Sequence, residues 1–404
     1  MTQAFRLPFQ QGAAHPLAGA AVLQLVPDLD ANFTAQAAID IAAALDAAGA
    51  RALIACAGGR MTGELQAKGG IFVPFPSRSK NPFAMALNAR RLARLIATER
   101  ADIVHVHSRA LAWVAYGATR MTQTPLVTSF QSGGRGANPI TLRYNSILAR
   151  GDAVLADSYF SAELARKLHT PAAAKIRVVR QGVDCRIFAP GTVAPARVHD
   201  VRRGWKVAPH EQIVLLMAQT SHAGAPKLLI EAARLLTRSG LTGVKFILAY
   251  DGKAGAIARV IDKAIAKDGL QGIMYRVLSP DMPAAYLAAS VVVVLPDGLQ
   301  QPACDAAIQA QAMGTPVIAA NTGAAPEIIL APPMVGESAR TGFLIKPGDS
   351  AALAMAIAHV LNLGASAAGK LSSRARRHAE MHFSTEHICA ETLEAYAALR
   401  CRSE

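Results

Sequence analysis

Aromatic side chains are scarce in this chain: they make up 5% of its residues, with two tryptophans in all. So little aromatic bulk beside abundant alanine suits helix-rich layered α/β packing better than a β-sandwich. The five cysteines (Cys56, Cys185, Cys304, Cys389 and Cys401) are scattered, odd in number and without CxxC spacing. That pattern argues against a disulfide framework and a structural zinc site, and for a reducing compartment. Long apolar runs are missing as well. Ala288 to Pro296, among the longest, is far too short to span a bilayer. The opening stretch MTQAFRLPFQQGAAHPLAG has no apolar core behind a basic start, so no signal peptide is read. Acidic charge is also short, with 28 Asp and Glu against 42 Lys and Arg, a net charge of +14. Such a balance favours anionic partners: phosphate-bearing substrates, an acidic membrane surface or nucleic acid. The expected location is the cytoplasm, with peripheral contact on the inner face of the membrane.

What is present is a regular alternation. A chain of 404 residues with 52% hydrophobic content amounts to two ordinary domains, each able to bury a full core. In the first half, apolar β-branched runs begin at Ala21, Ala50, Gly70, Ile103, Pro125, Ala153 and Ile176. In the second half they begin at Ile213, Lys245, Ile273, Val291, Pro316 and Gly342. Short runs without polar alternation suit parallel strands buried on both faces. Helix-length amphipathic segments such as AQAAIDIAAALDAAG and NARRLARLIATER separate them, which is the signature of βαβ units.

The alternation pauses over the Pro- and Gly-containing, basic stretch 185–210, read as a linker. The expected organisation is a Rossmann-like domain over 1–184, the linker, a second such domain over 211–380 and a terminal helix over 381–404. That helix carries an apolar stripe through Ile388, Leu393 and Ala397 and crosses back to the first domain. Two doubly wound parallel sheets facing across a cleft would place ligands at the strand C-termini.

Several segments, in this order and spacing, carry a resemblance: VLQLVPDL, SKNP, DIVHVHSRALAW, RYNSILARGDAVLADSYFSAEL, IRVVRQGVD, LLIEAARLL, AQAMGTPVIAANTGAAPE and TGFLIKPGD. Together they resemble the family-four glycosyltransferases of the bacterial envelope and lipopolysaccharide type, which have the two-Rossmann GT-B fold. The resemblance implies retaining transfer of a sugar from a nucleotide-diphosphate donor of UDP or GDP type to a glycan or lipid-linked acceptor. It implies no cofactor and no metal.

The same resemblance shows where the chain departs from the family. The Gly-rich turn after the first strand, which lets backbone approach the diphosphate, is occupied by Asn32 and Phe33. The acceptor-side histidine corresponds to Gln131, which can hydrogen-bond but cannot titrate near neutrality. The arginine and lysine that clamp the donor diphosphate correspond to Gln219 and Gly224. The two glutamates, one beside the transferred sugar and one on the ribose, correspond to Gln301 and Gln309. Arg109 and Glu327 keep their family identities. Groups that could compensate are His105, His107, Arg109, His222 and Lys227.

Three readings follow. The chain is a degenerate homologue that binds a partner, glycan or nucleotide and regulates an active glycosyltransferase paralogue. Alternatively it is an active transferase with a reworked site, or a basic membrane-surface or nucleic-acid binder on the same scaffold. Nucleic acid is disfavoured, because the runs around Arg90 and Arg374 lack interleaved aromatics.

Overall fold

The computed structural model describes residues 14–30, 32–78, 81–131, 139–169, 175–218, 223–250, 255–278, 281–295 and 302–401. The chain forms two compact units, Met1–Gly182 with Thr385–Glu404, and Val183–Ser384. In the first, seven strands pair entirely in parallel. They are β1 (Ala21–Leu25), β2 (Arg51–Cys56), β3 (Ile71–Pro74), β4 (Ile103–Val106), β5 (Leu126–Phe130), β6 (Ala153–Ala156) and β7 (Ile176–Val178). Their order is β3-β2-β1-β4-β5-β6-β7. The second unit holds β8 (Gln212–Ala218), β9 (Val244–Tyr250), β10 (Met274–Leu278), β11 (Val291–Val294), β12 (Val317–Ala320) and β13 (Phe343–Ile345). These are also parallel, in the order β10-β9-β8-β11-β12-β13.

Every apolar run read as a strand is one, and the reason is burial on both faces. Alternate residues of β1 point into different cores: Val22 joins Ile39, Leu45 and Ile54, while Leu23 and Leu25 join Leu92, Val104 and Leu111. The second sheet is likewise sandwiched, with Val291 and Val293 on one face and Val292 and Val294 on the other. In each sheet the strand order reverses once, between β1 and β4 and between β8 and β11. Such reversals open a crevice at the strand C-termini, where doubly wound sheets take their ligands.

Three expectations are corrected. The stretch 185–210 is no bare linker: it contains the helix Pro195–Gly204, and Val193, Trp205 and Val207 are buried in the core of the second unit. Its Pro opens a helix and its basic residues tie down carbonyls. Arg202 donates to the carbonyl oxygens of Ala208 and Glu211, both at 2.6 Å. Secondly, the terminal helix Thr385–Arg400 buries Cys389, Leu393, Tyr396 and Leu399, leaving Ile388 and Ala397 partly exposed. The stripe is rotated because Tyr396 finds a hydrogen-bond partner inside, in His105. Thirdly, Asn32 and Phe33 do not form a loop. The Asn32 side chain caps the helix Phe33–Ala47 by accepting from the Ala35 N–H at 2.9 Å, and Phe33 is its first residue, 51% exposed.

The terminal helix lies against the helix Phe33–Ala47 within the first unit. Truncating fully buried Leu393 to Ala should cost about 2–5 kcal/mol. Ile388→Ala, on the partly exposed face, should cost under about 1 kcal/mol. Urea denaturation of the two variants checks the rotated stripe directly.

Candidate functional site

Polar residues are rare in the first sheet, and four of them, Gln24, His105, His107 and Ser129, meet on or just beyond the strands at its reversal point. Gln24 on β1 sits in register beside His105 on β4, and both are buried. His107 follows on the same side of the chain, its ring centroid 4.0 Å from that of His105. Ser129 on β5 lies between them, and Tyr396 reaches in from the terminal helix.

Donors and acceptors order this cluster in one direction. The Gln24 amide donates its Nε2 to the Ala38 carbonyl at 3.0 Å, so its Oε1 is left to accept. His107 Nε2, 3.0 Å from that oxygen, must therefore carry the proton. His107 Nδ1 is then an acceptor, 3.5 Å from the Ser129 hydroxyl. Ser129 in turn accepts from His105 Nε2 at 2.9 Å, and His105 Nδ1 accepts from the Tyr396 hydroxyl at 2.6 Å. Both imidazoles are Nε2–H tautomers with every ring nitrogen in use. Burial holds them neutral: it pushes His105 well below the ordinary histidine range, helped by His107, and His107 down to about 4.

Beside this relay is a pocket of about 370 Å³ lined by His107, Ser108, Arg109, Ser129, Gln131 and Tyr144, among others. It opens at the N-terminus of the helix Arg109–Thr122, which Ser108 caps by accepting from the Leu111 N–H at 3.4 Å. Burial lowers the Arg109 guanidinium, but not enough to remove its charge, and Tyr144 opposes the shift. A helix N-terminus, a guanidinium, an amide and three hydroxyls make a pocket suited to a polar or anionic ligand. His107, Arg109 and Gln131 thus come together here from two strands. His105 stands one layer behind. Ser129, Tyr144, Tyr396 and Gln24 were missed by the sequence reading; Gln24 had a signal, as a lone amide inside the apolar strand AVLQL.

The second unit is quieter. Gly224 is the first residue of the helix Gly224–Arg238 and is exposed. Lys227 is not deep in that helix but in its first turn, and also exposed. Gln309, on the helix Pro302–Ala312, accepts at Oε1 from the Tyr286 hydroxyl at 3.0 Å. Burial, aided by the negative Asp305, pushes the Tyr286 phenol up, so it remains a donor. Glu327 lies in the short helix Ala325–Ile328 behind the turn at Gly323, whose φ of +59° is a glycine conformation. Cys304 is buried in the apolar core. Gln219, His222 and Gln301 lie outside the described residues. Among the described residues no group of three or more His, Cys, Asp or Glu could hold a metal ion.

Paired parallel sheets of this topology define the GT-B class of glycosyltransferase fold. The glycosyltransferase from Rickettsia africae ESF-5 superposes with a TM-score of 0.79 at 25% identity, covering 94% of this chain and 98% of that one. Anabaena HepE in complex with UDP and glucose gives 0.76 at 20% identity, covering 94% and 100%, a likeness of fold. Residues 34–187 match Glycosyltransferase Family 4 and residues 211–363 match Glycosyl transferases group 1. The chain belongs to this family of GT-B glycosyltransferases by sequence and fold. D-inositol 3-phosphate glycosyltransferase of Mycobacterium tuberculosis is 28% identical over 313 residues. That alignment covers 73% of this chain, and the chain spans 61% of the length of this curated relative.

The relay predicts a pH dependence. A histidine held neutral when folded but titrating near 6.5 when unfolded makes the unfolded state bind more protons at intermediate pH. Stability of the first unit should therefore be full above pH 6.5 and fall as pH drops towards 4. His107 alone contributes roughly 3 kcal/mol to that fall, and His105 acts in the same direction. Denaturation midpoints of the wild type and His107→Gln across this range measure it; the variant should have the shallower slope. Tyr396→Phe, which strips a buried acceptor of its donor, should cost about 1–3 kcal/mol.

Proposed function

We propose that this chain is a catalytically degenerate family-four glycosyltransferase homologue that serves as a binding or regulatory partner in bacterial envelope glycan synthesis. The observation that carries the reading is the commitment of the polar groups to the fold. The imidazoles of His105 and His107 are held neutral by burial, and both nitrogens of each are bonded within the protein. They cannot stand in for an acceptor-side histidine without breaking the relay. In the other unit, the Gln309 carbonyl already accepts from Tyr286, which leaves it one lone pair and its amide N–H groups to offer a ribose, where a carboxylate would offer acceptors alone.

The donor side weakens the case for catalysis further. Two charge-assisted hydrogen bonds to a diphosphate are worth roughly 3–6 kcal/mol together, about a hundred- to ten-thousand-fold. Gln219 and Gly224 supply neither. Lys227, at the positive end of its helix, is exposed and faces an unfavourable dipole when no anion is bound. The pocket beside His107 fits the acceptor side, and a glycan or lipid-linked sugar at an anionic membrane face is the acceptor we propose. The partner of the complex would be an active glycosyltransferase paralogue.

The second reading, an active enzyme with a reworked site, is favoured by one observation, the guanidinium of Arg109 in a polar pocket. It would make UDP or GDP the natural ligand, as UDP is in the Anabaena HepE complex. Calorimetric titration separates the two. The wild type should bind UDP, GDP and their sugars no tighter than millimolar. The variant combining Gln219→Arg, Gly224→Lys, Gln301→Glu and Gln309→Glu should gain at least a hundredfold. Micromolar binding by the wild type, with sugar release or transfer, would overturn the degenerate reading.

A further inference from the structure

The helix Pro82–Glu99 presents a solvent face that nothing described so far explains. Its inward face is Asn88, Ala89, Leu92 and Ile96, all buried. On the opposite side Phe83 is 88% exposed and Leu87 49%, and Arg90, Arg91 and Arg94 are exposed after them. At about 100° per residue, these five side chains fall within an arc of about 100°. The outward stripe is therefore apolar over its first turns and cationic over its later ones.

The charges on this stripe are uncompensated. Among the described residues no carboxylate pairs with Arg90, Arg91 or Arg94; the one polar contact is Arg91 Nη1 to Asn88 Oδ1 at 3.4 Å. Glu99, the single acid of the helix, is taken by Arg51 at 2.7 Å. Exposing a phenyl ring and a leucine side by side brings no gain in water. Leaving three guanidinium groups beside them without a counter-charge is a pattern for a surface both apolar and anionic.

We propose that this face docks the protein on an anionic lipid bilayer, with Phe83 and Leu87 entering the boundary of headgroups and acyl chains. Arg90, Arg91 and Arg94 then lie among the lipid phosphates, their stems along the interface and their guanidinium groups in it. A nucleic acid is the poorer fit: it would use the arginines but gives Leu87 no partner, and one phenyl ring makes no stacking platform. Attachment would be peripheral, since among the described residues no single helix is long and apolar enough to cross a membrane. The net charge of +14 works in the same direction. This deepens the membrane setting proposed above but is independent of whether any sugar is transferred.

The test uses the full chain and vesicles of phosphatidylcholine with or without phosphatidylglycerol, followed by sedimentation at low and high salt. The wild type should bind only the anionic vesicles and lose most binding in high salt. Phe83→Ser with Leu87→Ser should reduce partitioning at least tenfold. The combination R90Q, R91Q and R94Q should reduce it on the order of a hundredfold, at about fivefold per arginine. Unchanged thermal melting would show both variants folded, as expected for exposed positions. The proposal is overturned if the wild type ignores anionic vesicles, or if both variants bind as the wild type does. Binding to an RNA or DNA oligomer but not to vesicles would overturn it equally. None of these outcomes bears on nucleotide affinity, so the catalytic reading stands or falls separately.

Discussion

Five polar side chains, three buried and two half-buried between strands and helices, must all find partners, and that constraint organises the first unit. Tyr396, His105, Ser129, His107 and Gln24 satisfy one another in a single direction, ending on the Ala38 carbonyl. A buried donor or acceptor left unpaired costs more than a made bond returns, so the chain holds as a whole. It ties β1, β4 and β5 to the terminal helix, fixes which face of that helix turns inward, and sets the tautomer of both histidines. It also forms the back wall of the pocket at Arg109 and Gln131.

The second unit follows a similar logic with fewer parts. Tyr286 is buried and protonated, and it spends its hydroxyl on Gln309 while its carbonyl accepts from Thr315 at 2.8 Å. Gln309, which the resemblance sets where the family has a glutamate, thus completes the protein's own hydrogen bonding. Replacing a carboxylate by glutamine preserves bulk and hydrogen bonding while dropping charge, and the degenerate reading proposed above rests on that change. The same scaffold keeps one surface, the Phe83 to Arg94 face, whose exposure serves no internal purpose.

The strands were legible because runs such as VVVV and AVLA are buried on both faces, and nothing competes with that pattern. Helix boundaries around polar residues were less so. Asn32 reads as a loop residue until its side chain is seen capping the helix that begins at Phe33. The stretch around Trp205 has the Pro and Gly of a linker, yet its buried Val and Trp side chains decide the outcome. For the site, the motifs singled out Gln131, His107 and Arg109, and the fold sets all three along one pocket. The motifs could not disclose the relay, because Tyr396 is separated from His105 by 291 residues and only the fold brings them together.

On the reading proposed above, the polar groups at the heart of the first unit belong to the fold and not to catalysis. Nitrogen-15 NMR of the histidine side chains at neutral pH tests it most directly. His105 and His107 should both appear as neutral Nε2–H tautomers, with His107 titrating only near pH 4. An imidazolium at pH 7 for either residue, or an Nδ1–H tautomer at His107, would contradict the account and return that histidine to the list of catalytic groups.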